Sequence, residues 1–333
     1  MKVSQLTQIA VQVSTIALLL GSLTACGGGS GSGSSSGTKS IAVTQIVEHP
    51  SLNAVRDGIK EELAKEGFEA DKTLKWQWES AQGNQSTAVQ IAKKFVGDNP
   101  DAIVAISTPS AQAVAASTQQ IPVVFAAVTD PIAAKLVPNW QAPGGMITGV
   151  SDAIPVGSHL DIIKAITPKV NKLGVIYNAG EANSASLVNQ LKQEASSRKI
   201  TIAESTVSNT NDVANAAKGL VGKVDAIYIP TDNTVVSALE AVLEVGATHK
   251  LPVYAGDTDS VEKGAIATLG FNYQEVGRMT GRVVARILRG ANPSTIAVET
   301  PNTLELVVNP KGAEKMGVKV PEQVLSKAAK VMQ

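Results

Sequence analysis

The chain has 333 residues, and its 29 Lys and Arg balance 29 Asp and Glu to a formal net charge of zero, so no basic face for nucleic acid is written into it. Apolar residues make up 44% and aromatic ones 3%, an ordinary globular core with few rings to spare. A single cysteine excludes a disulfide framework and a thiolate metal site, which leaves core packing as the source of stability.

Chain order begins with Lys2, an apolar stretch from about Ile9 to Leu23, and then Leu23-Thr24-Ala25-Cys26. A basic tip, a short apolar region and small residues before a cut site are the layout of an export signal. The Leu-x-x-Cys form resembles a bacterial lipobox, which implies that residues 1–26 are a lipoprotein signal and that Cys26 carries lipid as the first mature residue. Two alternatives are a transmembrane helix, for which the run is short and broken by Gln12, Ser14 and Thr15, and a plain signal with Cys26 incidental. Residues 27–37 are only Gly and Ser, so 27–39 is expected to be a flexible tether.

The body then alternates strand and helix patterns. Ile41–Val47 is an apolar, β-branched run and predicts a buried strand. A helix from about Leu52 to Glu66 follows, then a strand Leu74–Glu79, a helix Thr87–Val96, a strand Ala102–Ile106, a helix Ala111–Ser117 and a strand Val123–Val128. The order repeats with strand Leu173–Tyr177, helix Ser184–Ser197, strand Thr201–Val207, helix Asp212–Val221, strand Ala226–Ile229, helix Val235–Ala247 and strand Val253–Ala255. This alternation predicts α/β architecture with doubly wound parallel sheets.

Two stretches look alike in detail. Asp101-Ala102-Ile103 leads a strand, a Ser107-Thr108 turn, a helix, Ile121-Pro122-Val123 and Asp130. Asp225-Ala226-Ile227 leads a strand, a Thr231-Asp232 turn, a helix, Leu251-Pro252-Val253 and Asp257. The matched spacing argues for a duplication and hence for two similar lobes. Ligands of open parallel sheets sit beyond the carboxyl ends of the strands. Two facing sheets would line one cleft with His49, Ser107, Thr108, Thr129, Asp130, Asn178, Thr231, Asp232, Asn233 and Asp257.

Catalytic patterns are missing. The sequence has no Gly-x-Ser-x-Gly elbow, no phosphate-binding Gly-rich loop and no dinucleotide fingerprint after a strand. His49, His159 and His249 lack metal spacing. His249 reads as a solvated turn residue, His159 as a helix-surface residue, and His49 alone as a cleft residue. No cofactor or metal is expected. Ser107-Thr108-Pro109-Ser110 opens a helix, whose free N–H groups suit a carboxylate. Ser107, Thr108, Thr231 or Asn233 is assigned to that carboxylate, and Asp257, with Asp130, to an ammonium group. Among the aromatics, Tyr177, Phe125, Phe271 and Tyr273 fall near strand ends, while Trp76 and Trp78 alternate with polar residues and share one face directed at the core.

Several motifs together resemble one family. Val47-Glu48-His49-Pro50, Ala81-Gln82-Gly83-Asn84, Val124-Phe125-Ala126-Ala127-Val128-Thr129-Asp130-Pro131 and Pro230-Thr231-Asp232-Asn233-Thr234 are similar to ABC-transporter substrate-binding proteins of the tryptophan/tyrosine type. Tyr177-Asn178-x-Gly180-Glu181-x-Asn183-Ser184, Gly256-Asp257-Thr258-Asp259-Ser260-Val261 and Leu304–Asn309 extend the likeness over Ile41 to the C-terminus. The resemblance implies a type I periplasmic-binding fold, no catalysis, a small-molecule ligand in the amino-acid class, and ABC permease and ATPase partners. It adds Asn84, Tyr177, Asn183 and Ser184 to the candidate ligand contacts. It also implies several hinge crossings, near Ser151, Phe271-Asn272 and Ala297–Leu304. Lobe 1 is then 40–150 with about 272–298, the latter carrying a helix Gln274–Leu288, and lobe 2 is 151–271 with about 304–333. The expected location is the outer face of a bacterial cell membrane or the periplasmic side of a membrane. A ligand-sensing lobe pair and an exported hydrolase using strand-end Asp and His remain as alternatives.

Overall fold

Parallel strands covered on both faces are unbroken apolar runs, and the inner strands of both large sheets are built that way, while the edge strands Leu74–Ser80 and Thr201–Val207 carry polar residues and are partly exposed. The computed structural model describes residues 38–333; the expected export signal, Cys26 and the Gly/Ser run lie outside the described residues. The first part contains β1 (Lys39–Gln45), α1 (Pro50–Lys65), β2 (Leu74–Ser80), α2 (Gln85–Asp98), β3 (Ala102–Ile106), α3 (Thr108–Ala115), β4 (Val123–Ala126) and β5 (Ile147–Val150). Then come α4 (Val156–Ile166), β6 (Lys172–Asn178), α5 (Ala182–Ser197), β7 (Thr201–Val207), α6 (Val213–Leu220), β8 (Ala226–Ile229), α7 (Asn233–Ser237), α8 (Leu239–His249), β9 (Val253–Ala255), α9 (Thr258–Lys263) and β10 (Ala267–Gly270). The chain closes with α10 (Tyr273–Leu288), β11 (Glu305–Val308), α11 (Pro310–Lys315), α12 (Glu322–Leu325) and β12 (Lys330–Val331).

The first sheet has the order β2-β1-β3-β4-β5 and is parallel throughout, with Val43 of β1 level with Trp78 on one side and Val104 on the other. The second has the order β7-β6-β8-β9, also parallel, so the first four strands of each half wind alike. A small third sheet, β10-β11-β12, pairs β10 antiparallel to β11. Each half has its own core. One hydrophobic cluster runs from Ile41 to Ile154 and resumes from Phe271 to Val298. The other runs from Val156 to Ala267 and resumes from Val308 to Val324. The chain therefore crosses between the two lobes three times, around 151–155, 268–271 and 299–306. The first and third crossings are tied together, because Ser151 N–H donates to the Glu299 carbonyl at 2.8 Å.

Helix α10 returns to the first lobe and lies on α1 at backbone contact. A Cβ on Gly58 would fall 2.2 Å from the Gln274 carbonyl oxygen, and one on Gly277 would fall 2.2 Å from that of Val55. Only glycine permits this approach, and it fixes the first turns of α10 against the middle of α1.

Several differences from the sequence reading have local causes. Strand β4 stops at Ala126 because Ala127 turns left-handed at φ 52°. The helix expected over Val235–Ala247 is two helices, broken at Ala238 with φ −118° and ψ 25°. Helix α3 runs Thr108–Ala115, starting three residues before the expected Ala111, with Ser107 at its N-cap position. His159 lies on a helix as expected but is not at the surface. Its ring is 5% exposed, with Nδ1 2.7 Å from the Tyr228 hydroxyl and Nε2 2.8 Å from the Leu269 carbonyl. Trp76 and Trp78 are half-buried on the edge strand, with the Lys60 ammonium and the Arg56 guanidinium over their rings at 5.8 and 4.7 Å.

Candidate functional site

The carboxyl ends of the two large sheets face a narrow, nearly filled cleft. The first lobe contributes His49, Ser51 and Leu52 from the start of α1, Thr108 from the start of α3, and Ala127 and Thr129 after β4. The crossings contribute Asp152 and Tyr273. The second lobe contributes Asn183 from α5, Thr231, Asp232, Asn233 and Val236 around α7, and Asp257 after β9. Among the described residues, three acidic side chains line this space and no Lys or Arg does.

Backbone strain collects at its first-lobe wall. Ser107 has φ 82° and Ala127 has φ 52°, both rare for residues other than glycine. They sit on adjacent strand ends, where Ser107 N–H donates to the Ala126 carbonyl at 2.9 Å. Of the corner that follows, Thr108 lines the cleft and Pro109 lines a separate outer groove. The Ser107, Thr108 and Ser110 hydroxyls are all buried and without a hydrogen-bond partner. So are His49 Nδ1 across from them and Asn183 Oδ1 in the second lobe. Buried polar atoms are normally paired, because an unpaired one costs about 1–3 kcal/mol. Thr108, His49 and Asn183 all line the same space, so the orphaned atoms describe what a ligand supplies.

Titration follows burial. His49 is pushed down to about 4 by burial, against the opposing pull of the Asp257 carboxylate and the Asn233 side chain, so the ring is neutral at physiological pH. Burial also raises Asp152, whose carboxyl accepts from Thr129 Oγ1 at 2.8 Å and from the Tyr273 hydroxyl at 3.1 Å. Asp232 is pushed up to about 7 by burial and by nearby Glu181. Asp259, beside the cleft, is pushed up to about 6 by burial and by Asp257. Asp257 accepts from Ser260 N–H at 2.8 Å, from Ser260 Oγ at 2.6 Å and from Ser51 Oγ at 3.2 Å. The last of these joins the two lobes, as does Ser186 Oγ donating to Asp130 at 2.8 Å.

Of the residues singled out from sequence, His49, Thr108, Thr129, Asn183, Thr231, Asp232, Asn233 and Asp257 meet at this cleft. Ser107 backs Thr108, and Ser184 stands behind the wall, its hydroxyl donating to Asp232 at 2.6 Å. Asp130 is off the cleft: it accepts from Ala133 N–H and from Ser186, which removes it from the ammonium role. Asn84 caps α2 through Thr87 N–H and faces a separate outer groove. Asn178 belongs to the same groove and donates to Thr234 at 2.9 Å. Tyr177 does not reach the cleft; its hydroxyl donates to Glu204 on the neighbouring strand at 2.6 Å. Phe125 is fully buried in the first core, and Phe271 packs in it 5.7 Å from the Tyr273 ring, which is the aromatic that lines the cleft. Asn233, one of the four residues offered for the ligand carboxylate, donates one of its two amide hydrogens to Glu181.

Ser51, Leu52, Val236 and Asp152 were missed. Asp152 follows β5, a four-residue strand with Thr148 and Gly149 in its middle, too weak a pattern to mark a strand end. The sequence pattern makes Leu52 a helix start and leaves Ser51 before it, whereas the first turn of α1 includes both and lines the cleft. Among the described residues, no group of three or more His, Cys, Asp or Glu side chains is placed to hold a metal ion, and no helix is long and apolar enough to cross a membrane.

Comparison with known proteins places this geometry. A family model described as ABC transporter substrate binding protein matches residues 40–332. A tyrosine-binding protein of Clostridioides difficile is 38% identical over 271 residues, covering 81% of this chain and 79% of that one. A solved ABC domain from Streptococcus pneumoniae in complex with L-Trp is 36% identical with a TM-score of 0.86, covering 89% of this chain and 100% of that one. A ligand-free, open substrate-binding protein with adhesive properties from Clostridium difficile is 38% identical, with 89% and 99% covered, yet its TM-score is 0.66. More distant sugar- and polyol-binding transport proteins, at 16–17% identity, share the type I periplasmic-binding fold alone.

Proposed function

The chain belongs to the ABC transporter substrate-binding proteins, and from that premise we propose that it is a lipid-anchored receptor that closes two lobes on one aromatic amino acid and delivers it to a membrane permease. One observation carries the ligand class. The second-lobe wall offers acceptors, Asn183 Oδ1 and the Asp257 carboxylate, while the first-lobe wall offers the orphaned Thr108 hydroxyl at the start of α3. A zwitterion fits that polarity, with its ammonium on the second lobe and its carboxylate at the helix start on the first. Leu52, Ala127, Val236 and the Tyr273 ring leave an apolar surface for the side chain. A buried ring contributes roughly 4–6 kcal/mol before ordering costs.

The same polarity drives closure. A ligand shifts a two-state equilibrium only through its differential affinity for the two states. A zwitterion held at one end by each lobe makes both sets of contacts only when the lobes are together. The Ser51–Asp257 and Ser186–Asp130 bonds belong to that closed arrangement, and the higher TM-score to the L-Trp complex than to the open protein fits it. Catalysis is not part of the reading, since the family is one of binding proteins and the cleft carboxyls are held by hydroxyl and backbone N–H donors.

The unit 38–333 is expected to gain thermal stability with L-tyrosine or L-tryptophan and not with aliphatic or acidic amino acids, because a ligand of the native state raises the midpoint by mass action. A melting series over the twenty amino acids reads this directly. No shift with any aromatic amino acid contradicts the assigned ligand. The anchor is tested separately. Full-length chain expressed in a bacterium is expected to take up labelled fatty acid and to stay with membranes, and Cys26→Ala is expected to lose both. Label retained by the Cys26→Ala protein contradicts the lipobox.

A further inference from the structure

Glu181 stands where α5 needs an N-cap, yet its side chain caps nothing in that helix. Glutamate is a poor N-cap, being too long to fold back on its own first turn. Here the carboxylate reaches across to the neighbouring helix start. Oε1 accepts from Thr234 N–H at 3.0 Å and from Thr234 Oγ1 at 2.8 Å. Oε2 accepts from Asn233 N–H at 3.2 Å, from the Asn233 side-chain amide, and from Asn183 Nδ2 at 3.3 Å. The group is 7% exposed and, among the described residues, no Lys or Arg bonds to it. Its charge is held by amides and a hydroxyl alone.

We propose that Glu181 is a positioning residue that makes the second-lobe wall of the cleft select ligands rich in hydrogen-bond donors. This rests on the receptor reading above. Asn183 and Asn233 each offer an NH2 group and a carbonyl oxygen, and whichever end faces the ligand sets what the ligand must bring. The Glu181 carboxylate takes the NH2 end of both. Asn183 Nδ2 also donates to the Thr231 carbonyl at 3.0 Å, so flipping this amide would set oxygen against two acceptors. Its Oδ1 is consequently left buried, unpaired and on the cleft. A ligand lacking a donor there leaves that oxygen desolvated and empty, the kind of mismatch that discriminates strongly between analogues.

The test compares affinity for L-tyrosine with that for two analogues, L-phenylalanine, which lacks the ring donor, and 3-(4-hydroxyphenyl)propanoate, which lacks the ammonium. The unit 38–333, which contains both cores and the whole cleft, is used as wild type, Glu181→Gln and Glu181→Asp. Glu181→Gln loses half of the acceptor capacity and releases an amide. Glu181→Asp keeps the charge but is short enough to cap α5 itself, so it folds while withdrawing from Asn183 and Asn233. In both variants, the larger of the two wild-type discrimination ratios is expected to shrink at least tenfold. A fall in affinity that is equal for all three ligands, with both ratios unchanged, means that Glu181 is only a structural cap and overturns the proposal.

A ligand-free readout separates this from failure of the receptor reading. The side-chain amide protons of Asn183 and Asn233, assigned with Asn183→Asp and Asn233→Asp, are expected to exchange slowly in wild type and at least tenfold faster in Glu181→Asp. Equal exchange overturns the proposal even if the wild type binds none of the three compounds. Slow exchange lost in the variant upholds the positioning, with the ligand then to be sought among other donor-rich solutes.

Discussion

Asp257→Asn is expected to weaken binding of L-tyrosine or L-tryptophan by roughly 30-fold to several thousand-fold without lowering the stability of the ligand-free protein. Removing one partner of a buried, hydrogen-bonded charge pair costs about 2–5 kcal/mol, and each 1.4 kcal/mol is tenfold in affinity. The opposite sign for the empty protein comes from its neighbours. Asp259 is pushed up to about 6 by burial first and by the Asp257 charge second, and Asp152 is raised as well. A carboxyl whose folded pKa lies above its unfolded value gives stability that is fully present below about 4 and lost as pH rises through about 6. Above that pH, three acidic groups near one another work against the closed, empty site. Asparagine at 257 keeps an oxygen for Ser260 and Ser51 while removing the charge. At pH 7.5 the variant should therefore melt at or above the wild type, and the difference should shrink toward pH 4. Calorimetric titration and melting curves read the two halves. A variant that binds normally, or one that loses binding only because it unfolds, contradicts the assigned role.

Gly277→Val is expected to damage both stability and binding, although residue 277 does not line the cleft. The first carbon of any side chain there would lie 2.2 Å from the Val55 carbonyl and 2.9 Å from Gly58 Cα, both of them backbone atoms that cannot step aside. Overpacking of this kind costs about 1–3 kcal/mol, occasionally more. For a unit of this size that is a fall in melting temperature of roughly 2–12 °C. Binding suffers because α1 and α10 carry their cleft residues at their first turns, Ser51 and Leu52 on one and Tyr273 on the other. Prying the helices apart moves these against each other by a fraction of an ångström or more. A weaker affinity in a still-folded Gly277→Val protein is the expected result, measured at a temperature well below its midpoint. Wild-type stability would show that the helices have room to part.

The fold was legible where burial on both faces leaves nothing but apolar residues. Ala102–Ile106, Ala226–Ile229 and Val253–Ala255 match their strands to the residue, and so does Thr201–Val207, a mostly exposed edge strand read from its β-branched residues instead. What the pattern could not show are the elements at the crossings. Strand β5 holds Thr148 and Gly149, and Thr148 is buried because its hydroxyl donates to the Ile296 carbonyl at 2.7 Å, a partner 148 residues away. Strand β10 is Ala-Thr-Leu-Gly, and its buried Thr268 likewise breaks the apolar run. With β5 unseen, Asp152 had no strand end to belong to. The site itself was half legible. The rule that ligands gather at strand ends found His49, Thr108, Thr129, Asp232, Asn233 and Asp257, but it does not say which way a side chain faces. Asp130 and Tyr177 follow the same rule and point elsewhere, to Ser186 and Glu204. Orientation of the Asn233 amide depends on Glu181, 52 residues away.

The central claim is that the two lobes close on a single unaltered aromatic amino acid. Calorimetric titration of the unit 38–333 with L-tyrosine and with L-tryptophan, followed by release and mass measurement of the bound compound, tests it most directly. The account predicts saturable binding of one molecule per chain, recovered with its mass unchanged. Recovery of a converted product would make the protein an enzyme, and no binding of either amino acid would place its ligand outside this class.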